Sequence, residues 1–218
     1  MNILFVGNSH TYYNELQEMF AELVKAVGCE EIYAVRCTEP GVALSWHWNS
    51  SKSRKMLKER KWDYVVLQDR SGAPLEVPEE NVKFATLLHD EVKEECGAKV
   101  ILYMTWANLL SFEQQDLVTA HYQKLQSRLG CQMAPVGVAW KNAFARIEGL
   151  RLHDADNSHA SPAGTYLAAC VFYATVMERS PVGLPAKVVS NGKVLADIPE
   201  KLAEELQSIA FETVNDRS

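Results

Sequence analysis

The stretch that decides the fold is ILFVGNSHTYY, Ile3–Tyr13. An apolar run stops at Gly7, three polar residues follow, and helical periodicity then begins. A continuous apolar run suits a strand covered on both faces, as in parallel sheets flanked by helices. Asn8, Ser9 and His10 then stand where a buried strand turns into a helix. Three readings of them are open at this point: a helix cap, a phosphate loop, or a nucleophile on a turn.

Outward from this stretch the same alternation repeats. Asn2–Val6 predicts a strand, and Tyr13–Val27 a helix with Leu16, Met19, Phe20, Leu23, Val24 and Val27 on one face, ended by Gly28. Glu31–Cys37, Asp63–Gln68 and Lys99–Thr105 predict further strands, and Met133–Val138 a short last one. Glu79–Cys96 and Phe112–Leu129 carry helical periodicity and close on Gly97 and Gly130. Ser161-Pro162 opens a helix to about Met177, and the tail from Ala196 to about Thr213 predicts a surface helix on an edge. No repeat or linker interrupts the pattern. It predicts one α/β domain over residues 1–218, with a mostly parallel sheet of about five strands covered on both faces.

Composition narrows the function classes. The chain has 218 residues, 47% hydrophobic and 23% charged, which predicts a soluble domain with a full core. Net charge is −6, and the one basic run, Lys52–Lys61, has Met56 and Leu57 at helical spacing and reads as a solvated helix face. Nucleic acid is therefore not the expected partner. The cysteines Cys29, Cys37, Cys96, Cys131 and Cys170 are odd in number and form no CxxC, so neither a zinc site nor a disulfide framework is expected. No apolar run approaches the roughly 18 residues of a membrane helix, so no membrane association is expected. The first residues enter a strand directly, without a basic leader, which makes the cytoplasm the expected compartment unless a leader has been trimmed away.

In open α/β sheets, ligands bind beyond the carboxyl ends of the strands. Those positions hold Gly7 to His10, then Pro40 and Gly41 with Trp46, His47 and Trp48 close behind. Gln68 to Ser71 follow the third strand, Trp106 and Asn108 the fourth, and HDADNSHASPAG (His153–Gly164) precedes the last main helix. GNSHT lacks the glycines that wrap phosphate, which makes a phosphate loop the weakest of the three readings of Ser9, after a cap and a nucleophile. A serine hydroxyl needs a base in order to attack. Asp156 and His159, three residues apart on one short loop, can meet side chain to side chain and set the tautomer that general-base work needs. The other reading of that loop is a capping Asp and a solvent-facing His. His153 and Asp154 are rivals in the loop, but adjacent residues point apart.

FVGNSHT and DNSHASPAGTYLAACVFYA together resemble the first and last blocks of the SGNH hydrolases, the GDSL-like esterase/lipase superfamily. WDYVVLQDRSG, LYMTWAN, APVGVAW and SPVGLP resemble one subgroup of largely uncharacterised bacterial members, so the resemblance runs over residues 2–185. It implies a flavodoxin-like three-layer α/β/α sandwich and serine-dependent ester hydrolysis with no metal or cofactor. By the same resemblance Ser9 is the nucleophile, His159 the base and Asp156 its partner.

The oxyanion hole is implied to comprise the Ser9 N–H, Gly41 and a strand-end Asn. Here the third strand runs into LQDRSG with no Asn, and Gln68 is expected as the substitute, with Asn108 as a second donor. Gly7 is read as permitting the tight turn, Asn8 as bracing it, and His10 as facing solvent. Asn8, Trp46, Trp106 and Asn108 are the candidate substrate pocket; Trp46, Trp48, Trp106 and Trp140 read equally as core or as a sugar platform. No long apolar lid is visible, which favours short acyl esters, with O-acetyl groups on carbohydrates as the expected substrate. A non-catalytic flavodoxin-like ligand- or glycan-binding module and an acyltransferase stay open as alternatives.

Overall fold

Ile3 and Phe5 pack on one side of the first strand and Leu4 and Val6 on the other, and all four are shut off from solvent. That two-sided burial follows from the unbroken apolar run and requires cover on both faces. The computed structural model describes residues 1–28 and 31–216; Cys29 lies outside the described residues. Strand β1 (Asn2–Gly7) pairs in parallel with β2 (Tyr33–Thr38) on one side and β3 (Tyr64–Leu67) on the other. β4 (Lys99–Tyr103) and β5 (Gln132–Ala134) extend the sheet, giving the order β2-β1-β3-β4-β5. The winding direction reverses at β1, so the crevice beyond its carboxyl end is the switch point where such sheets bind ligands.

The helices follow from the turns between strands. After β1 come α1 (Ser9–Tyr12), a 3-10 turn (Tyr13–Glu15) and α2 (Leu16–Ala26). α3 (Leu44–Asn49) and α4 (Ser51–Lys58) follow β2, and α5 (Ala73–Glu76) and α6 (Pro78–Glu95) follow β3. A 3-10 segment (Leu109–Gln114) and α7 (Gln115–Leu129) follow β4, and α8 (Val136–Arg146) follows β5. α9 (Pro162–Met177), the hairpin β6 (Lys187–Ser190) and β7 (Lys193–Asp197), and α10 (Glu200–Asn215) complete the chain. α2, α8 and α9 cover one face of the sheet, with α10 outside them; α6 and α7, with Leu44 and Leu57, cover the other. α9 is apolar all round and buried from Gly164 to Val176, as expected of a helix enclosed by the rest of the fold. Its Phe172 meets Phe5, Phe20 and Tyr103 edge-on, at centroid distances of 5.2, 6.4 and 4.9 Å. Truncating a buried Phe to Ala typically costs about 3–5 kcal/mol. In α4 the basic run faces solvent, with Arg54 and Lys58 reaching Glu91 and Glu95 on α6. Among the described residues no helix is long and apolar enough to cross a membrane.

Four boundaries differ from the sequence expectations by three residues or more. The helix expected from Tyr13 begins only at Leu16, because Asn14 and Glu15 adopt left-handed backbone at φ 51° and 55°. The helix expected from Phe112 is 3-10 until Gln115, with Ser111 outside helical geometry. The strand expected over Met133–Val138 stops at Ala134: Pro135 has no N–H for the ladder, and Val136 to Val138 open α8. At the tail, Ala196 and Asp197 belong to β7, and the helix starts after Pro199. That helix is no loose surface element, since it buries Leu206, Ile209 and Ala210 against α9 and α8.

Candidate active site

Ser9 is the first residue of α1, so its N–H has no intrahelical acceptor and points away from the helix end. Asn8 caps the helix, its Oδ1 accepting from His10 N at 3.0 Å while its Nδ2 donates to Val42 O at 2.8 Å. Asn8 is thus buried as a brace and does not line a pocket. Gly7 carries no positive φ. A Cβ there would fall 2.3 Å from Gln68 Oε1, so the glycine answers to close approach rather than to turn geometry.

Gln68 lies fully buried under this turn. Its Oε1 accepts from Asn8 N and Thr11 Oγ1, each at 2.8 Å, and its Nε2 donates to Asn8 Oδ1 at 3.0 Å and to Asp69 O. Both amide hydrogens are taken up inside the fold. The expectation that Gln68 supplies the third oxyanion donor is therefore corrected: it holds the Asn8–Ser9 turn from below. Asp69, also buried, accepts from Leu44 N (2.9 Å), Arg70 N (2.7 Å) and Asn81 Nδ2 (2.8 Å). With Val42 held by Asn8 and Leu44 by Asp69, the loop carrying Gly41 is tied both to the Asn8–Ser9 turn and to the end of β3. Gly41 has φ +66°, a conformation that favours glycine, and no atom crowds it. His47 fastens the same corner, its Nε2–H donating to Gly7 O at 2.9 Å and its Nδ1 accepting from Ser53 Oγ at 2.8 Å.

The second half of the site is the loop before α9. Asp156 Oδ1 accepts from the backbone N–H of Ser158 and His159, each at 2.9 Å, which curls the loop around the carboxylate. Its Oδ2 accepts from His159 Nδ1 at 2.5 Å, and His159 Nε2 lies 2.7 Å from Ser9 Oγ. A carboxylate can only accept, so Nδ1 carries the proton and Nε2 faces the serine as an acceptor. The His159 hydrogen bond, with the two backbone donors, lowers the Asp156 carboxyl to about 2. The loop is further held by Trp106 Nε1 donating to Ser158 O (2.8 Å) and Leu109 N donating to Asn157 O (2.9 Å).

The remaining candidates sort by burial. His10 is buried, not solvent-facing, its ring 5.4 Å from Trp106 and 5.0 Å from His159. Burial, followed by the neighbouring His159, lowers its pKa to about 4, so it is neutral at pH 7. His153 turns inward, its Nε2 3.0 Å from Ala107 O and its ring parallel to Phe144; Asp154 accepts from Ala155 N at the surface. Neither meets the serine. Trp106 and Trp140 stack on each other at 3.9 Å in the interior, Trp48 carries the Arg54 guanidinium over its ring, and Trp46 stays partly exposed on α3. A cavity of about 260 Å3 is lined by Arg70, Gly72, Leu75, Trp106, Asn108 and Ser158, and its lining includes neither Ser9 nor His159. A larger one, about 690 Å3, lies behind the same loop, against Phe144, Leu150, Arg151 and Asn157, and includes neither Ser9 nor His159. Among the described residues no three His, Cys, Asp or Glu side chains converge as metal ligands would. Tyr13, whose ring stacks on His159 at 4.0 Å, has no signal in the sequence, where it reads as an ordinary helix residue.

A parallel 2-1-3-4-5 sheet, a serine beyond its first strand and an Asp-x-x-His loop before its last buried helix define the class: the fold is that of the SGNH hydrolases. In particular, the chain is similar to a Slackia heliotrinireducens protein provisionally assigned as an SGNH hydrolase, at 26% identity and TM-score 0.68, covering 81% of this chain and 98% of that one. It is also similar to a DUF4886 family protein from Bacteroides uniformis, at 19% identity and TM-score 0.76, covering 98% of this chain and 94% of that one. An acetylxylan esterase from Geobacillus stearothermophilus shares the fold at 15% identity and TM-score 0.63, over 80% of this chain and 93% of that one. No protein-family model and no curated protein matches the chain.

Proposed function

We propose that the protein is a serine esterase acting on short-chain acyl esters, with O-acetyl groups on carbohydrates as its substrate class. The observation that carries the reading is the continuous chain from Ser9 Oγ through His159 to Asp156, at 2.7 and 2.5 Å. His159 Nε2 takes the hydroxyl proton as Ser9 Oγ bonds to the ester carbonyl carbon. The resulting oxyanion is met by the N–H groups of Ser9 and Gly41. Collapse breaks the bond to the alcohol, which leaves with the proton from His159. Water then attacks the acyl-enzyme, giving a proton to His159, and the carboxylic acid departs as Ser9 regains its hydrogen. Asp156 stays ionised throughout and steadies the imidazolium.

Asn108 is the proposed third oxyanion donor. Its Oδ1 accepts from Leu110 N at 2.9 Å, its Nδ2 is left for a ligand, and it lines the small cavity beside Ser158. The acetylxylan esterase among the structural neighbours supports the sugar ester.

The reading is tested with a fluorophosphonate probe, located by peptide mass spectrometry on wild type and His159→Ala. A label on Ser9 that disappears in the variant is the expected result. A folded wild type that takes no label rejects an activated serine and favours a ligand-binding role for the cleft.

A further inference from the structure

We propose that Tyr13 and Asn14 form a positioning device for the base, holding the His159 imidazole in line with Ser9 and stabilising it once protonated. The proposal rests on the reading of His159 as the general base. The Tyr13 ring lies 4.0 Å from the His159 ring, and the two planes are only 13° from parallel. The face of a phenol ring is negative, so this contact strengthens when His159 takes the Ser9 proton and becomes a cation. His10, the other ring near His159, is kept neutral by burial and adds no opposing charge.

The backbone shows that this placement is imposed. Helix periodicity would carry residues 13–27 as one helix, yet Asn14 and Glu15 break it with two consecutive left-handed conformations. Non-glycine residues reach that region at a cost and persist there only when their surroundings over-determine them. Here Asn14 Nδ2 donates to Ala160 O and to Thr165 Oγ1, each at 2.9 Å. Ala160 is the residue after His159, and Thr165 lies in the first turn of α9. Glu15 is held by an ion pair with Arg36 and by Gln17 Nε2 at 3.2 Å. The kink therefore joins the segment after the nucleophile to the loop that carries the base. Tyr13 is only partly buried, so core packing alone does not account for its position.

The test compares wild type with Tyr13→Leu, Tyr13→Phe and Asn14→Gly, using p-nitrophenyl acetate hydrolysis, fluorophosphonate labelling and thermal melts. Tyr13→Leu is expected to lower kcat about tenfold with KM within about twofold, because the stacked contact matters once charge has moved to His159. Tyr13→Phe, which keeps the ring face, is expected to restore kcat to within about twofold of wild type. Asn14→Gly keeps the left-handed backbone and removes both hydrogen bonds. It is expected to lower kcat about fivefold, and it decides between the outcomes if Tyr13→Leu does not fold. A folded Tyr13→Leu with wild-type kcat, a Tyr13→Phe as slow as the Leu variant, or an Asn14→Gly with unchanged kcat overturns the proposal. Labelling separates the two levels. A wild type that takes no label at Ser9 rejects the base assignment itself; a labelled wild type with indifferent variants rejects only the positioning role.

Discussion

The Gln68 carboxamide and Asn8 bond to each other twice: Asn8 N donates to Gln68 Oε1 at 2.8 Å, and Gln68 Nε2 donates back to Asn8 Oδ1 at 3.0 Å. The pair joins the residue before the nucleophile to the end of the neighbouring strand, sixty positions along the chain. It takes the only residue after β3 that resembled an oxyanion donor and assigns it to support.

Replacing Gln68 with Leu keeps the volume and removes the bonds. Asn8 N and Thr11 Oγ1 would lose their partner in a buried place, where each unsatisfied group costs about 1–3 kcal/mol, while Asn8 Oδ1 keeps only His10 N. A loss of roughly 3 kcal/mol is expected, visible as a melting temperature lower by about 6–12 °C. A variant that melts like wild type but has lost activity would instead place Gln68 at the oxyanion.

Asn108→Ala should act in the opposite way. Its side chain lies at the rim of the small cavity, so stability should change little while kcat falls about 10²-fold, the usual loss for one oxyanion donor. Steady-state kinetics on p-nitrophenyl acetate with a matched melt decide it; an unchanged kcat removes Asn108 from the hole.

Asp69→Ala is expected to damage the chemistry from a distance. It frees Leu44 N and Asn81 Nδ2, so the Gly41 loop loses its tie to the end of β3 and keeps only those made through Asn8 and His47. The expected signature is a kcat lower by about tenfold or more with KM nearly constant, since misplacing a donor weakens transition-state contacts more than binding. An equal effect on both parameters would point to a general loss of fold.

Stability should fall as the solution is acidified, for a reason located at His10. Its pKa is about 4 in the fold and about 6.5 when free, so the unfolded chain takes the proton first as pH drops. The contribution is complete above about pH 6.5 and is lost progressively toward about pH 4, with a size on the order of 3 kcal/mol. Burial also lowers His47, His121 and His153, so these add to the slope. Urea midpoints measured across that window should fall for wild type and fall less for His10→Gln; identical slopes would show that His10 is not the source.

What is legible in the chain is legible for local reasons. The apolar runs of β1, β3 and β4 announce a two-faced sheet, and Asp156 and His159 are near enough in sequence for their meeting to be read directly. Gln68 misleads because its partners are Asn8 and Thr11, which only the pairing of β1 with β3 brings near. Val136 and Val138 mislead because β-branched residues favour strands, while burial under α9 and the break at Pro135 decide for helix. The hairpin β6–β7 does carry a local signal that the strand expectations passed over: Asn191-Gly192, both with positive φ, is the two-residue turn such hairpins prefer.

Ser9 and His159 stand 150 positions apart, one just after the first strand and the other on the loop before α9. If His159 is the base we propose, the serine leaves the ribosome early and unarmed during synthesis, since that base has yet to be made. Even then Asn14 must wait for Ala160 and Thr165 before the corner can close. A nascent or truncated chain that stops short of the loop would then carry an ordinary alcohol, and is expected to be indifferent to esters and to serine-directed poisons. On the proposed esterase reading, reactivity would arrive with the last third of the polypeptide, and acylation of Ser9 would report completed folding.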